Sequence, residues 1–271
     1  MLGFLIIATG NYYKYLPNLI KSIEKFFPSN LEKKYYIFSN HKLDIKFIKN
    51  YQTFYFKHQG FPSSTLLRFR VFDQIKDILS KETERLFYID ADSLFVRPPI
   101  DELFDKNIDI FGFEHGENIV RDKNNLPYER SPSSLACVNY GDERKYIIGG
   151  FYGGNTKRMI EVFSLLNNNV DKDLQNNIIA KFHDESHMNN YFVNNKDTII
   201  LNTKNILGEV DSYRKLKAWN INENLETCRD LFILNNNKEI LTTEDFFVIF
   251  LEKDHNKERN YNGSDTEIIL N

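Results

Sequence analysis

The stretch Leu86-Phe87-Tyr88-Ile89-Asp90-Ala91-Asp92 decides the fold, because an apolar and aromatic run ends in two aspartates separated by one residue. A short run of this composition is typical of a buried strand. Carboxylates are hard oxygen ligands that suit Mg²⁺ or Mn²⁺ when substrate phosphates complete the coordination shell, so Asp90 and Asp92 are candidate metal ligands. An ordinary turn, in which aspartate is also common, is the alternative.

Strand-like runs alternate with segments of helical period on both sides of this motif. The pattern predicts strands at residues 2–9, 34–39, 54–57, 86–89, 109–114 and 147–152, and helices at 15–27, at 64–79 and from 183 onward. Such alternation favours an α/β sheet with helices on both faces. Ligands of open α/β sheets lie beyond the carboxyl ends of strands, which is where Asp90 and Asp92 stand.

The composition is that of a globular domain without a strong charge. The chain has 271 residues, 41% of them hydrophobic, and its 35 basic and 38 acidic residues give no electrostatic case for nucleic acid as a partner. The two cysteines, Cys137 and Cys228, favour a reducing compartment, with one disulfide as the alternative. Residues 1–8 are too few to span a bilayer and lack the basic start of a signal peptide. We therefore expect a cytoplasmic protein whose membrane contact is at most peripheral.

A long polar stretch, residues 117–144, separates two of the predicted strands. Loops of this length inside a compact domain are usually either functional or disordered. Two interpretations stay open at this point. The stretch could form one side of an acceptor site, or it could be a simple excursion over the surface.

The segment Ile148-Gly149-Gly150-Phe151-Tyr152-Gly153-Gly154 carries four glycines in six residues. Its spacing differs from the G-x-G-x-x-G pattern of dinucleotide-binding proteins, and no lysine follows to form a phosphate-binding P-loop. Glycine inside a strand indicates either a bulge or a close approach of a ligand to the backbone. Both interpretations remain open.

The segment His183-Asp184-Glu185-Ser186-His187 opens a predicted helix. Histidines four residues apart share a helix face, which suggests zinc, but neither the H-E-x-x-H nor the H-x-x-E-H arrangement of zinc hydrolases is present. A zinc hydrolase that uses His183 and His187 is kept as an alternative. Asp184 and Glu185 would also be favoured in a first helical turn by the helix dipole alone.

Taken in order, these motifs resemble those of the family 6 glycosyltransferases, the family of the ABO blood-group transferases and the α-1,3-galactosyltransferase. The resemblance rests on Asp90-Ala91-Asp92, Tyr128-Glu129-Arg130, the glycine segment 148–154 and His183-Asp184-Glu185-Ser186-His187-Met188-Asn189. It implies a GT-A fold, with a Rossmann-like mixed sheet flanked by helices, in a single catalytic domain at 1–229. Residues 230–271 are then expected to form a C-terminal extension, partly packed and then mobile.

The resemblance also implies an activity, namely retaining transfer of N-acetylgalactosamine or galactose from a UDP-sugar, in α-1,3 linkage, to a galactose-terminated acceptor. Glu185 matches the catalytic carboxylate, and Asp90 and Asp92 match the ligands of Mn²⁺ or Mg²⁺. The implied donor-binding residues are Ile7, Ala8, Thr9, Tyr12, Arg68, Asp90, Ala91, Asp92, Ile148, Gly149, Gly150 and Asp184. The implied acceptor-binding residues are His115, Tyr128 and Glu185.

Two details of the resemblance bear on cofactor and donor. Bacterial relatives often carry Asn-x-Asn in place of the acidic pair, so the aspartates retained here indicate dependence on a metal. In the blood-group enzymes, a larger aliphatic residue and a glycine at the positions of Ile148 and Gly150 accompany transfer of N-acetylgalactosamine, which predicts that donor. A catalytically silent UDP-sugar-binding protein is the remaining alternative.

Overall fold

The computed structural model describes residues 1–95, 97–115 and 125–201, together with the backbone of four short strands beyond them. Its strands are β1 (Leu2–Ile7), β2 (Lys33–Ser39), β3 (Tyr51–Tyr55), β4 (Arg85–Ile89), β5 (Ser93–Phe95), β6 (Ile110–Glu114), β7 (Ile147–Asn155), β8 (Ile199–Leu201), β9 (Ile206–Leu207), β10 (Ile233–Leu234), β11 (Ile240–Leu241) and β12 (Val248–Phe250). Its helices are α1 (Leu16–Phe26), α2 (Ser63–Leu66), α3 (Arg68–Gln74), α4 (Lys76–Glu82), α5 (Thr156–Gln175) and α6 (His183–Asn194), with 3₁₀ helices at Gly10–Lys14 and Asp101–Phe104.

A seven-stranded mixed sheet forms the centre, in the order β3-β2-β1-β4-β7-β6-β8. The strands from β3 to β4 are parallel, and β7 runs antiparallel to both of its neighbours, β4 and β6. Because β1 and β4 are parallel neighbours, the loops that follow them leave the sheet at the same edge. The predicted α/β architecture, a mixed sheet flanked by helices in one domain, is confirmed.

Alternation along β1 explains why helices cover both faces of the sheet. Phe4 and Ile6 belong to the core cluster that includes the apolar face of α1. Leu5 points the other way, into a cluster with Phe72 of α3 and Phe163 of α5. Successive side chains of a strand point to opposite faces, so a strand without polar positions must be covered on both sides. This arrangement makes the central strands a rigid support for the loops at their ends.

Two predicted elements differ from the observed ones. The helix expected at 64–79 is three short helices, α2 to α4, interrupted at Leu67 and Ile75. After the interruption at Leu67, α3 begins at Arg68. The side chain of Arg68 is buried, which helical periodicity does not predict for a charged residue. The strand expected at 54–57 lies at Tyr51–Tyr55, because pairing with β2 sets its limits.

Part of the polar stretch 117–144 is described and is folded rather than a surface excursion. Leu126, Tyr128 and Val138 are buried together with Tyr146 and Val193. Residues 116–124, the side chains beyond 201 and Cys228 lie outside the described residues, as do most of residues 230–271. In the described ranges, none of the helices combines the length and apolar character needed to cross a membrane.

Candidate active site

The acidic pair lies directly after β4, at the edge predicted from the sequence. The Asp90 amide donates to the Gly150 carbonyl at 2.9 Å, so the turn is tied to β7. The hydroxyl of Tyr88 donates to Asp90 Oδ1. Asp90 keeps about one third of its side chain exposed, whereas Asp92 is buried.

The chemistry of this pair fits a divalent cation that is shared with a substrate. Within the described residues, no cluster of three or more His, Cys, Asp or Glu side chains could hold a metal ion by itself. A magnesium-type site needs fewer protein ligands, because one or two carboxylates and the substrate phosphates suffice. Asp90 and Asp92 would supply those carboxylates.

Arg68 connects the acidic pair to the helix α6. Its Nη1 donates to the Gly149 carbonyl at 2.7 Å and lies 2.9 Å from Asp184 Oδ2, while Nη2 lies 3.4 Å from Asp90 Oδ1. The guanidinium carbon also lies over the Tyr88 ring, 4.1 Å from its centroid. Burial acts to lower the pKa of Arg68, but the carboxylate of Asp184 and the other acidic groups outweigh it and raise the pKa well above its usual value. The guanidinium is therefore a fixed positive charge between β7, the start of α6 and the turn after β4.

Asp184 occupies the first turn of α6 and is buried. Burial raises its pKa to about 7; Arg68 opposes this shift, and the negative charges of Glu185 and Asp90 add to it. The guanidinium of Arg68 is thus the positive charge near the carboxyl groups of Asp184, Glu185 and Asp90. At neutral pH Asp184 is divided between its protonated and ionised forms, so it can either donate or accept a hydrogen bond.

Glu185 is the next residue of α6, and each of its carboxylate oxygens has a donor. Oε1 accepts from the hydroxyl of Tyr146 at 2.7 Å, and Oε2 accepts from the Gly149 amide at 2.7 Å. Burial raises the pKa of Glu185, while His115, the Tyr146 hydroxyl, the Gly149 amide and Arg68 lower it. The carboxylate is consequently held in one orientation.

The glycine segment is explained here by close approach. A Cβ atom at Gly149 would lie 2.9 Å from Glu185 Oε2, and one at Gly153 would lie 2.5 Å from the Leu86 carbonyl oxygen. At Gly149 the approaching group is a side chain of the protein itself. The sequence pattern had left open a bulge and the close approach of a ligand, and at Gly149 the close approach is made by Glu185.

The first-strand residues predicted to bind the donor lie at the same edge of the sheet as Asp90. Ile7 ends β1, and Ala8 and Thr9 follow it as buried residues. The Thr9 hydroxyl lies 3.1 Å from His58 Nδ1. Tyr12 is partly exposed in the following 3₁₀ helix. Of the other predicted donor residues, Ala91 and Ile148 are buried.

The two predicted acceptor residues other than Glu185 have different surroundings. His115 follows β6, and its amide donates to the Tyr146 carbonyl at 2.7 Å. It lies near enough to Glu185 for its charge to lower the pKa of that carboxyl. Tyr128 is only 1% exposed, its hydroxyl donates to the Arg144 carbonyl at 3.0 Å, and its ring packs edge-on against Tyr146. The structure therefore does not present Tyr128 on an exposed acceptor surface.

Tyr146 was missed by the sequence interpretation, although its hydroxyl contacts the predicted catalytic carboxylate. It stands directly before β7 and is 1% exposed. Its position two residues before Ile148 was the only available signal. Nothing in a single sequence shows that this side chain turns toward α6.

The two histidines proposed for zinc have separate surroundings. His187 is buried, with Nε2 3.6 Å from Asp173 Oδ2, whereas the His183 ring packs edge-on against Phe61. Burial lowers the pKa of both histidines to about 4. In the described part of the chain, no third ligand joins them to complete a metal site.

Comparison with known proteins agrees with this geometry. The family described as glycosyltransferase family 6 matches residues 1–229. The chain is 29% identical to the O-antigen biosynthesis glycosyltransferase WbnI of Escherichia coli over 205 residues, which are 74% of this chain and 85% of WbnI.

Two animal proteins are also similar. The chain is 25% identical to globoside alpha-1,3-N-acetylgalactosaminyltransferase 1 of Homo sapiens over 207 residues, 74% of this chain and 59% of that protein. It is 23% identical to histo-blood group ABO system transferase 1 of Rattus norvegicus over 247 residues, 84% of this chain and 68% of that protein. The chain thus spans about three fifths of the length of the globoside transferase.

The mixed sheet and its flanking helices are consistent with a GT-A-like glycosyltransferase. Membership supports transfer of a glycosyl group from a nucleotide-sugar donor to a glycan acceptor. Because the match extends over residues 1–229 of 271, the chain belongs to glycosyltransferase family 6.

Proposed function

We propose that this protein transfers N-acetylgalactosamine, or else galactose, from a UDP-sugar to a galactose-terminated acceptor in α-1,3 linkage with retention of configuration. The observation that carries the proposal is one connected polar network at the carboxyl end of β4 and the start of α6. Arg68 pairs with Asp90 and Asp184, and the Gly149 backbone links it to Glu185 by accepting from Arg68 and donating to the Glu185 carboxylate. We assign this catalytic site to residues 1–229 and treat 230–271 as an extension.

The diphosphate would be held at Asp90 and Asp92 with Mn²⁺ or Mg²⁺. When bound, the cation neutralises charge that develops on the leaving diphosphate and orients it. The carboxylates of Asp90 and Asp92 would hold that cation where β4 ends. The residues after β1, Ile7, Ala8 and Thr9, would take the uridine, since β1 is the parallel neighbour of β4.

Glu185 would act on the sugar itself. Retention requires assistance on the face of the sugar opposite the leaving group, either by attack of a carboxylate or by stabilisation of an oxocarbenium-like state. Asp184, whose pKa is about 7, can hydrogen-bond a sugar hydroxyl in either protonation state. The charge of Arg68 lowers the pKa of both acids, and His115 would lie on the acceptor side of Glu185.

We favour UDP-N-acetylgalactosamine as the donor. Glycine at position 150 has no Cβ atom, so the 2-substituent of the sugar could approach the backbone there, whereas a methyl group would crowd it. Support comes from the human relative, which is named an alpha-1,3-N-acetylgalactosaminyltransferase. The preference should be a ratio rather than absolute, since one methyl group is worth roughly 1–3 kcal/mol.

A panel of UDP-sugars and galactoside acceptors, with and without Mn²⁺, tests the proposal. We expect a retained α-1,3 product from UDP-N-acetylgalactosamine, formed only when a divalent cation is present. Donor binding measured by calorimetry without any product would instead support a silent UDP-sugar-binding protein. A product of inverted configuration would contradict the role given to Glu185.

A further inference from the structure

We propose that Tyr146 is a positioning residue for glycosyl transfer, because its hydroxyl holds the Glu185 carboxylate in the orientation that faces the donor sugar. This inference rests on the proposed function of Glu185. It concerns a residue that the motifs do not contain, since Tyr146 lies before the glycine segment and outside the helix that carries the acids.

The two donors to Glu185 come from β7 and the residue directly before it. The Tyr146 hydroxyl binds Oε1 and the Gly149 amide binds Oε2, each at 2.7 Å. A carboxylate oxygen can accept two hydrogen bonds, so one lone pair of each oxygen stays available for the sugar. Hydrogen bonds to an ionised acceptor are roughly twice as strong as those between neutral groups. The pair of bonds therefore orients Glu185 without using its full capacity.

A second contact fixes the position of Tyr146 relative to Glu185. The side-chain amide of Asn189, one turn further along α6, accepts from the Ile147 amide at 2.8 Å and donates to the Ile147 carbonyl at 2.9 Å. It also lies within hydrogen-bond distance of the Glu185 carbonyl, at 3.0 Å. The backbone next to Tyr146 is thereby fixed to the helix that carries Glu185.

Packing against Tyr128 immobilises the Tyr146 ring. Tyr128 packs edge-on against it with 5.0 Å between the ring centroids, and the hydroxyl of Tyr128 is in turn held by the Arg144 carbonyl. Tyr146 itself is 1% exposed. A ring enclosed in this way holds its hydroxyl at one point, which is what orienting a carboxylate requires.

The Tyr146 hydroxyl also favours the ionised form of Glu185. Burial raises the pKa of Glu185, and this hydroxyl opposes the shift together with the Gly149 amide, His115 and Arg68. The neighbouring Asp184 is the other acid at this point of α6, and Tyr88 and Asp90 lie on the far side of Arg68. Removing the hydroxyl should raise the pKa of Glu185 further, because its other surroundings would be unchanged.

The test is the pH dependence of Tyr146→Phe in the full chain, with UDP-N-acetylgalactosamine and UDP-galactose as donors. We expect kcat to fall roughly 10- to 100-fold while KM for the donor changes little, which is the loss expected for one hydrogen bond to a charged group. We also expect the acidic limb of the kcat profile to move to higher pH.

Tyr36→Phe is the matched control, because Tyr36 is also buried and its hydroxyl also donates to a carboxylate, Glu82, at 2.8 Å and away from the site. Its kcat and pH profile should equal those of the wild type. The thermal unfolding midpoint of both variants shows whether a loss of kcat follows from misfolding. Equal midpoints with unequal kcat support the proposal.

The variant Glu185→Gln distinguishes a failure of the positioning role of Tyr146 from a failure of the proposed function of Glu185. If it abolishes transfer while Tyr146→Phe keeps the wild-type kcat and acidic limb, the role of Tyr146 is overturned and the proposed function stands. If Glu185→Gln itself keeps full activity, the proposed function of Glu185 fails. A Tyr146→Phe variant that loses kcat with an unmoved acidic limb and a raised KM would show a merely structural role and would also overturn the inference.

Discussion

Arg68 and Asp184 form a buried ion pair of 2.9 Å, with the two side chains only 6% and 7% exposed. The same guanidinium contacts Asp90 and the Gly149 carbonyl. Arg68 is therefore the physical link between the acids after β4 and the acids of α6. Buried charges are tolerated only when they are paired, so this link has consequences for stability as well as for the proposed donor site.

Replacing Arg68 should destabilise the fold strongly. We expect Arg68→Ala to lower the free energy of unfolding by about 3–5 kcal/mol at pH 8, because Asp184 and Asp90 lose their buried partner. The loss should be smaller at pH 6, where protonation of Asp184 relieves the repulsion. Arg70→Ala on the same helix removes a more exposed pair with Asp171 and should cost about 1 kcal/mol or less. Urea denaturation at both pH values checks this, and equal losses for the two variants would contradict it.

Asp92→Asn should reduce turnover by orders of magnitude while leaving the fold intact. The amide keeps the shape of the side chain but removes the negative charge that we propose to hold the divalent cation. Isothermal titration with Mn²⁺ and UDP should show weakened binding. Asp101→Asn, on an exposed carboxylate, is the control. Full wild-type activity in excess EDTA would remove the metal from the proposed function.

Glu185→Gln should lower kcat far more than it weakens the binding of UDP. The substitution retains the size of the side chain and removes the charge that would stabilise the transition state. Steady-state kinetics combined with a UDP titration separates the two effects. Glu161→Gln, an exposed residue of α5, should behave like the wild type. A Glu185→Gln enzyme with unchanged kcat would exclude this residue from the mechanism.

Gly150→Ala should shift donor choice toward UDP-galactose. An added methyl group would crowd the 2-acetamido substituent, and we expect the ratio of kcat/KM values to change by roughly 10- to 200-fold. The measurement is kcat/KM for both donors in the wild type and in the variant. A wild-type enzyme that already prefers UDP-galactose would show that the residue pattern of the blood-group enzymes does not apply here.

His187 should make the protein less stable in mild acid. Burial lowers its pKa to about 4, so between about pH 6.5 and 4 the unfolded chain binds a proton that the folded chain does not. Stability from this residue is therefore complete at neutral pH and is lost as the pH falls through that window, by about 3 kcal/mol. His187→Gln should flatten this part of the curve of unfolding free energy against pH.

The positions of the acidic pair and of the two acids of α6 could be predicted from the sequence for physical reasons. Asp90 and Asp92 directly follow the short run Leu86–Ile89, whose length and apolar, aromatic composition indicate a buried strand. Asp184 and Glu185 were expected in a first helical turn, and both are there. The prediction of one helix at 64–79 was wrong. A new helix begins at Arg68, and the partners of its side chain, Asp90, Gly149 and Asp184, are distant in sequence.

What the sequence determined by itself was the alternation of strands and helices, and hence an α/β sheet with acids at its carboxyl edge. Tertiary structure alone decided which side chains meet there. The contact of Tyr146 with Glu185 spans 39 residues, and that of Arg68 with Gly149 spans 81. Periodicity reports which face of an element is buried but not what it is buried against. Partners so far apart in the chain are set by strand order and packing, which bring β7 against β4 and α6 against β7.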